Sequence, residues 1–435
     1  RILGIFPASR SAVVQPGVTN LELQNALAPL GFFYAPDPAS QKVSTLGGNV
    51  GENSGGPRCL KYGVTTNHVI GLEVVLTTGE RLRLGGVDLD PPGFDLRALL
   101  IGSEGTLAVA TEVAVRILPK PEKVMTQLVV YDAVDDAARS VAGIIAAGIV
   151  PATLEMMDAP IIRAVEESIA CGYPRDAAAV LIIEVEGPAA GLDRQAARIR
   201  EICETNGCRE VRAAADTQAR NRLWEGRRGA FGAVARLAPN YLVNDCVVPR
   251  TRLPEALARV AEIVTRHGFE HGNVFHAGDG NLHPLILFDS REPGAIERVH
   301  AAGWEIMLEC VALGGTISGE HGIGLEKMEG MRLVFSDDDI DAQRAVRQAV
   351  EPSGRLNPGK VLPDTSTPFA YREQAAWPAP VDALSAAEGE VAAAVARALA
   401  AGEALQVAGG GSLAGFGNAP ARPLAPLRAE GLAAS

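Results

Sequence analysis

The chain has 435 residues, and its 52 acidic and 40 basic side chains give a net charge of −12, which argues against a nucleic-acid-binding surface. A hydrophobic fraction of 47% and a charged fraction of 21% are ordinary for a globular protein of two or three domains. No apolar run reaches the roughly 18 residues that a membrane span needs, and no secretory signal is visible at Arg1. The six cysteines show no CxxC pair, so we expect reduced thiols in a cytoplasmic protein, with any membrane association made through partner subunits.

The first predicted elements surround a glycine-rich segment. A strand over residues 13–18 leads into a short helix over about residues 19–30, which Thr19 or Asn20 can cap. The segment at residues 44–56 follows, and its glycine spacing differs from the GxGxxG pattern of dinucleotide-binding folds. Its bare backbone amides and its Ser, Thr and Asn side chains suit a pyrophosphate or a flavin ring, but an irregular loop between domains is the alternative.

The next stretch predicts the rest of a first domain. Residues 72–84 contain two β runs about a Thr-Gly turn, which indicates a hairpin. A short helix over residues 95–100 precedes the segment Gly102-Ser-Glu-Gly-Thr106 and a strand over residues 109–118. Pro119 and Pro121 then end this domain.

From about Met125 strands and helices alternate along the chain. Strand–helix–strand units with hairpin strands among them predict an α+β sandwich with its helices on one face. The predicted strands cover residues 127–131, 179–186, 210–213 and 241–248, and the predicted helices cover residues 132–147, 192–206, 217–237, 253–267 and 295–313.

Two histidines flank a glycine-rich turn in His276-Ala-Gly-Asp-Gly-Asn-Leu-His283. Strand-like runs over residues 272–277 and 282–288 predict a hairpin that brings the two imidazoles together. In Ser318-Gly-Glu-His-Gly-Ile-Gly324, Glu320 can complete a set of two histidines and one carboxylate, which suits a divalent metal with open positions. His321 then stays free for proton transfer. The alternative is a plain turn whose histidines are structural. However, the formation of a strand or a helix does not require His, Asp and Glu-His among so many glycines in two segments.

Six segments together resemble the flavoprotein family of glycolate oxidase FAD-linked subunits and D-lactate and D-2-hydroxyglutarate dehydrogenases. The resemblance covers roughly residues 1–363 and implies an α+β protein. A vanillyl-alcohol-oxidase-type FAD-binding domain would be followed by a ferredoxin-like substrate-capping domain. The segments are Thr45-Leu-Gly-Gly-Asn-Val-Gly-Glu-Asn-Ser-Gly-Gly56, Tyr62-Gly63, Gly102-Ser-Glu-Gly-Thr106, Asn273-Val-Phe-His-Ala-Gly-Asp-Gly-Asn-Leu-His283, Ser318-Gly-Glu-His-Gly-Ile-Gly324 and Gly354-Arg-Leu-Asn-Pro-Gly-Lys360.

The resemblance also implies a domain organisation. Residues 1–120 are expected to form a partial FAD-binding domain, truncated before Arg1, and residues 121–363 the substrate- and metal-binding domain. A proline-rich linker is predicted over residues 364–385. Residues 386–435, with an alanine-rich helix, a strand from Leu405 and a glycine-rich loop, resemble the beginning of the companion FAD-binding subunit of glycolate oxidase. A flexible glycine tail is the alternative for that loop.

The same resemblance assigns cofactors to residues. It implies a divalent metal, zinc, manganese or iron, held by His276, His283 and Glu320, and it makes His321 the catalytic base. FAD is expected to contact Thr45, Gly48, Asn53, Ser54, Gly102, Glu104 and Asn357.

Arg227 lies in Trp224-Glu-Gly-Arg227 on the long predicted helix, where relatives place an arginine against the substrate carboxylate. A bidentate guanidinium–carboxylate pair suits that role, and a solvated helix face is the alternative. The D-2-hydroxyglutarate enzymes hold the distal carboxylate with a lysine that residues 241–245 lack. A short 2-hydroxy acid, glycolate or D-lactate, is therefore favoured over the dicarboxylate.

The expected reaction oxidises this acid to the 2-oxo acid, with hydride transfer to flavin, a metal on the hydroxyl group and His321 as base. The chain has no iron–sulfur cysteine pattern, so an iron–sulfur subunit is expected as a partner beside the companion FAD-binding subunit. Three alternatives remain: a D-2-hydroxyglutarate-type dehydrogenase, a non-redox metal hydrolase, and a non-catalytic subunit of a complex.

Overall fold

A five-stranded antiparallel sheet forms the centre of the N-terminal module, residues 1–119. The computed structural model describes residues 1–86 and 93–364, and beyond these only residues 393, 397, 400–401, 405–408 and 425–428. The elements of the module are β1 (Ile2–Phe6), β2 (Ser11–Val14), α1 (Asn20–Leu27), β3 (Phe32–Phe33), α2 (Leu46–Glu52), α3 (Cys59–Tyr62), β4 (Val69–Val75), β5 (Arg81–Gly85), α4 (Leu96–Leu100), β6 (Val109–Arg116) and β7 (Leu118–Pro119). The sheet has the order β1-β2-β6-β4-β5, and the predicted hairpin is confirmed by the antiparallel pairing of β4 with β5.

Helix α1 begins where the sequence predicts a cap. The Thr19 side chain accepts a hydrogen bond from the Glu22 amide, and the Glu22 carboxylate accepts one from the Thr19 amide, which together form a capping box. Leu23 and Leu27 are buried in the core of the module. The α-helix ends at Leu27, and a 3₁₀ turn over Ala28–Leu30 completes the predicted span.

Part of the glycine-rich segment is helical, which corrects its interpretation as an irregular loop. Helix α2 follows Thr45, whose side-chain oxygen accepts a hydrogen bond from the Gly48 amide at 3.2 Å. Leu46 and Val50 are buried, so tertiary packing outweighs the poor helix propensity of glycine. Asn53 ends the helix at φ 53°, in the left-handed region that asparagine tolerates.

A seven-stranded antiparallel sheet forms the centre of the large-sheet module, residues 123–364. The elements are β8 (Lys123–Tyr131), α5 (Val134–Ala146), β9 (Thr153–Asp158), α6 (Ala159–Ser168), β10 (Ala179–Gly187), α7 (Leu192–Thr205), β11 (Glu210–Ala213), α8 (Thr217–Val234), β12 (Asn240–Val243), β13 (Cys246–Val247), α9 (Leu253–Arg266), β14 (Glu270–Phe275), β15 (Asn281–Leu282), β16 (Pro284–Phe288), α10 (Ala295–Ala312), α11 (Met331–Val334) and α12 (Asp337–Val350). The strand order is β11-β8-β10-β9-β14-β16-β12.

Helices cover both faces of this sheet, so the prediction of helices on one face is wrong. Helices α5, α7, α9 and α10 share one buried cluster with Val129 and Leu181 of the sheet. Helices α6 and α8 pack on the opposite face, against Leu128, Val130 and Ile182. Strand β10 is buried over almost its whole length, as expected for a strand that is covered on both sides.

The histidine hairpin supplies the fifth and sixth strands in the order of the seven-stranded sheet. Strands β14 and β16 pair antiparallel with Asn273 opposite Pro284, and a bridge between His276 and Asn281 closes the turn. The predicted hairpin is confirmed. It is held against β9 by the pairing of Phe275 with Met156.

The chain divides into two compact units, Arg1–Ala375 and Ala376–Ser435. In the second unit, β17 (Leu405–Ala408) and β18 (Ala425–Arg428) form a parallel pair, and the strand predicted from Leu405 is confirmed. The predicted linker and the glycine-rich loop, and most of the alanine-rich helix, lie outside the described residues. Within the described part of the chain, no helix is both long enough and apolar enough for a bilayer span. No disulfide joins any of the six cysteines, all of which lie within the described residues.

Candidate active site

The two histidines of the hairpin meet the glutamate of a later loop at one point. His276 follows β14, His283 lies between β15 and β16, and Glu320 lies in the loop after α10. The Nε2 atoms of His276 and His283 lie 3.2 and 3.3 Å from Oε1 of Glu320. One ligand atom from each residue lies within 4.8 Å of the others, so the predicted triad can hold one metal ion.

The second nitrogen of each histidine faces a buried carboxylate. His276 Nδ1 lies 2.9 Å from both oxygens of Glu155, and His283 Nδ1 lies 3.7 Å from Oδ1 of Asp245. The hydrogen bond to Glu155 is of the kind that orients a metal-binding histidine and raises the basicity of its ligating nitrogen, whereas the Asp245 contact is longer than a hydrogen bond. The Nε2 atoms of both histidines are nevertheless the ones that face Glu320.

The charges of the triad stabilise one another. Burial alone would lower the pKa of His276, but the carboxylates of Glu155 and Glu320 raise it well above its usual value. Burial alone would raise the pKa of Glu320, but His276 and His283 hold it well below its usual range. Glu320 is thus an ionised carboxylate, the form that ligates a cation, and a metal ion bound there would displace the proton that the raised pKa places on His276.

His321 lies beside the triad, on the same loop as Glu320. Its ring stacks on that of His283, with centroids 4.9 Å apart, and its Nε2 lies 3.8 Å from Oε1 of Glu320. Burial lowers the pKa of His321 against the opposing charge of Asp245, and nearby His283 lowers it further. Its side chain is 44% exposed, so a neutral imidazole is available to accept a proton from a small molecule.

Glu155 is a site residue that the sequence did not single out. Besides His276 it contacts Arg227, whose Nε and Nη2 atoms lie 2.8 and 2.6 Å from Glu155 Oε2. Arg227 and Glu155 are both almost fully buried, with side-chain exposures of 2% and 1%. Arg227 therefore lies beside the triad rather than on a solvated helix face, and its contact with a substrate carboxylate stays a prediction. Glu155 is one of two carboxylates, with Asp158, in the otherwise mostly apolar strand β9, and this pattern does not single it out.

Asp245 is the second residue that sequence reasoning missed. Its carboxylate accepts hydrogen bonds from the Ser318 hydroxyl at 2.7 Å and from the backbone amides of Gly319, Glu320 and His321. Lys327 Nζ lies 3.2 Å from the same carboxylate. Burial would raise the pKa of Asp245, but Lys327 and the nearby histidines lower it below its usual value. An ionised Asp245 thus fixes the loop that carries Glu320 and His321.

The triad lies against the N-terminal module at Gly55. A Cβ atom at Gly55 would lie 2.5 Å from Oε2 of Glu320 and 2.9 Å from Sγ of Cys59, so a larger residue would displace one of them. Burial, and then the carboxylate of Glu320, raise the pKa of the Cys59 thiol well above its usual value. The candidate metal centre is therefore located where the two modules meet.

A cavity of about 410 Å³ lies in the N-terminal module, within the roughly 300–1,000 Å³ range of ligand pockets. Five glycines line it, and Leu72, Val74 and Leu100 supply apolar surface. A Cβ atom at Gly51 would meet nothing within 4 Å, so a ligand can approach the backbone there. The glycines are Gly17, Gly47, Gly48, Gly51 and Gly105.

The residues expected to contact flavin divide into two groups. Thr45 and Gly48 line this cavity. The other five do not line the cavity. Two of them, Gly102 and Glu104, are the neighbours in sequence of Ser103, which is a lining residue. Asn53 and Ser54 lie at the end of α2, where the Asn53 side chain accepts a hydrogen bond from the Thr66 amide. The Asn357 side chain donates to the Glu104 carbonyl at 2.7 Å.

The cavity and the two modules define the class of protein. Residues 1–85 match the family described as FAD binding domain, and residues 120–361 match FAD linked oxidases, C-terminal domain. A p-cresol methylhydroxylase structure with substrate bound shares the fold at a TM-score of 0.69 and 16% identity, over 85% of this chain and 79% of that one. An alkyldihydroxyacetonephosphate synthase structure has a TM-score of 0.64 and 19% identity, and the match covers 83% of this chain and 65% of that one. The chain has the fold of an FAD-linked oxidase, as predicted.

Curated relatives narrow the class. Glycolate oxidase subunit GlcD of Escherichia coli K12 is 48% identical over 362 residues, which cover 83% of this chain and 72% of the relative. A probable mitochondrial D-lactate dehydrogenase of Danio rerio is 30% identical over 84% of this chain and 74% of the relative. This chain belongs to the GlcD family of FAD-linked oxidases. The matches give no support to a companion-subunit segment over residues 386–435, and the FAD-binding match argues against a metal hydrolase.

Proposed function

We propose that this chain oxidises a short 2-hydroxy acid, glycolate or D-lactate, to the 2-oxo acid, with FAD and a divalent metal as cofactors. The observation that carries the proposal is the triad of His276, His283 and Glu320, with His321 beside it and with Glu320 against Gly55 of the FAD-binding module. The relatives named as a glycolate oxidase subunit and a probable D-lactate dehydrogenase support this substrate class.

The donor set of the triad fits a divalent metal. Two imidazole nitrogens and one carboxylate oxygen suit zinc, manganese or iron, and they leave coordination positions for a substrate. A cation held there supplies Lewis acidity that lowers the pKa of a substrate hydroxyl group. Glu155 keeps the imidazole of His276 oriented for this task through a hydrogen bond from Nδ1. Asp245 places a negative charge 3.7 Å from Nδ1 of His283.

His321 is the proposed base. Its exposed, neutral imidazole accepts the hydroxyl proton, while the hydrogen on the α-carbon leaves with its electron pair as a hydride. FAD, when bound, supplies the acceptor for that hydride. The proton and the hydride together account for the two hydrogens and two electrons that the substrate loses.

Arg227 is the proposed partner of the substrate carboxylate. Glu155 holds its guanidinium group in place and also contacts His276, so the positive charge is fixed beside the triad. No lysine occurs in residues 241–245 to bind a second carboxylate. This supports a short monocarboxylate rather than D-2-hydroxyglutarate as the substrate.

The electrons are proposed to leave through partner subunits. The E. coli relative is named as a subunit of glycolate oxidase, which supports assembly into a complex. Because the six cysteines of this chain contain no cluster-binding pattern, an iron–sulfur partner is the proposed acceptor, beside a companion FAD-binding subunit.

The test is the visible absorption spectrum of the purified chain before and after anaerobic addition of glycolate, D-lactate or D-2-hydroxyglutarate. We expect flavin bands that bleach with a short acid and respond weakly to the dicarboxylate. Comparing bleaching in protein loaded with FAD alone and in protein loaded with FAD and Mn²⁺ shows whether the metal is needed for flavin reduction. Flavin-loaded protein that no 2-hydroxy acid bleaches, with or without metal, would refute the proposal.

A further inference from the structure

The loop over residues 318–324, here called the catalytic loop, is held by carboxylates from both modules. Asp245 of the large-sheet module accepts the amides of Gly319, Glu320 and His321 at 3.0, 3.2 and 2.9 Å. These bonds fix the first half of the loop, which carries the proposed metal ligand and the proposed base. The second half is held from the other side.

Glu104 of the N-terminal module holds the second half of the catalytic loop. Its Oε1 accepts the Ile323 amide at 2.6 Å and its Oε2 accepts the Gly324 amide at 2.8 Å. Hydrogen bonds to an ionised acceptor are stronger than those between neutral groups. The side chain that the sequence analysis assigned to flavin is thus bonded to the loop that carries Glu320 and His321.

The fit between Glu104 and the loop is close. A Cβ atom at Gly322 would lie 2.8 Å from Oε1 of Glu104 and 2.5 Å from Oε2 of Glu52. Gly322 also has φ +81°, which disfavours any other residue. At Gly322 the loop therefore lies against Glu52 and Glu104 with no room for a side chain between them.

Glu104 is also part of the segment that lines the glycine-rich cavity. Its neighbours Ser103 and Gly105 line the cavity. Its own amide donates to the carbonyl of Gly51, another lining residue, at 2.8 Å. The backbone of Glu104 is thus bonded to the wall of the cavity, while its carboxylate is bonded to the catalytic loop.

We propose that Glu104 is a positioning residue that couples FAD binding in the cavity to metal binding at the triad. The inference rests on the proposed function, because the metal site belongs to it. FAD fixes the backbone of residues 103–105, Glu104 fixes the amides of Ile323 and Gly324, and Glu320 is thereby held in its ligating position. Such coupling is reciprocal, so the metal equally tightens FAD binding.

The test is Mn²⁺ binding to the full chain with and without FAD, measured by the electron paramagnetic resonance signal of free Mn²⁺. In the wild type we expect FAD to tighten Mn²⁺ binding about fivefold or more. In Glu104→Gln, which keeps the size of the side chain, this effect should fall below about twofold. The exposed Glu80, in the turn between β4 and β5, provides the control Glu80→Gln with the same charge change.

Asp245→Asn is the second variant. It should weaken Mn²⁺ binding about 10–100-fold both with and without FAD, because Asp245 acts within the large-sheet module. The FAD effect should persist in that variant. Circular dichroism of each protein shows whether a loss of binding reflects unfolding.

The outcomes separate the two proposals. If FAD leaves Mn²⁺ binding unchanged in the wild type, or tightens it equally in Glu104→Gln, the coupling is refuted while the metal site stands. If the wild type binds Mn²⁺ no better than His276→Ala, the metal site is refuted and the coupling with it.

Discussion

Replacing Glu155 by glutamine tests the buried network beside the triad. The Glu155 carboxylate neutralises the guanidinium group of Arg227 and accepts a hydrogen bond from His276 Nδ1. Glu155→Gln keeps the shape but leaves Arg227 buried without an ionised partner. Breaking such a pair costs roughly 3–5 kcal/mol of folding free energy. We expect the loss of His276 orientation to weaken metal binding about 10–100-fold as well.

A double-mutant cycle isolates the contact between the two side chains. Arg227→Met removes the other charge, and the double variant removes both, so its destabilisation should be smaller than the sum of the two single effects. We expect an interaction energy of about 1–3 kcal/mol. The assay is urea unfolding of the four proteins, with metal content determined by mass spectrometry.

The exposed ion pair between Lys123 and Asp193 supplies the control. Its side chains are 39% and 75% exposed, so Asp193→Asn should change stability by less than about 1 kcal/mol. Additive effects of Glu155→Gln and Arg227→Met would refute the described contact. The same proteins also test substrate binding, because Arg227→Met should raise KM for glycolate if its guanidinium holds the substrate carboxylate.

Three further predictions concern the base, the cavity and pH. His321→Asn should lower kcat by about 10²–10⁴-fold with flavin content unchanged, measured by anaerobic flavin reduction, and a near-normal rate would exclude His321 as base. Gly48→Leu should fold but lose the flavin bands, because a Cβ atom at Gly48 contacts only Thr45 Oγ1 at 3.4 Å while the rest of the side chain enters the cavity. Retained flavin would show that the cofactor binds elsewhere. Burial raises the pKa of Asp158 to about 6, above its value of about 3.9 in the unfolded chain. The free energy of unfolding therefore falls as pH rises from about 4 to about 6, by at most about 3 kcal/mol from this group. Asp158→Asn lacks this titration, so its urea midpoint relative to wild type should rise between about pH 4 and pH 7, and a constant difference would contradict the assignment.

The triad could be predicted because all three of its residues lie in short glycine-flanked segments. His276 and His283 flank one turn, and a hairpin is a local structure that strand and turn signals indicate. Glu320 could be identified from the sequence because it precedes a histidine and the two residues lie between glycines. Their convergence on one point depended on the family resemblance as well as on the spacing.

Glu155 and Asp245 could not be predicted, because no local pattern marks them. Glu155 meets His276 across a separation of 121 residues, and Asp245 meets the His321 amide across 76. Each becomes a site residue only when the strands are ordered within the sheet. Helix α2 was missed for a different reason. Its glycines predict a loop, but the burial of Leu46 and Val50 stabilises the helix.

Helices on both faces of the large sheet were missed because α6 was not recognised. Residues Ala159–Ser168 follow β9 without a loop, with Asp158 as cap and Pro160 in the first turn. Without α6, helix α8 had no neighbour on its own face, and a single helical layer was the simpler arrangement. The continuous apolar character of β10 was the available signal for a strand covered twice.

The long separations within the site also set the order of its assembly during synthesis. The hydrogen bond between Glu104 and the Ile323 amide spans 219 residues, so it cannot form until the ribosome has delivered most of the chain. Contacts this distant in sequence slow folding, because a large loop must close before they contribute stability. The nascent polypeptide can therefore pair the strands of its N-terminal sheet before residues 318–324 are synthesised, and the loop that carries Glu320 and His321 reaches Glu104 only afterwards.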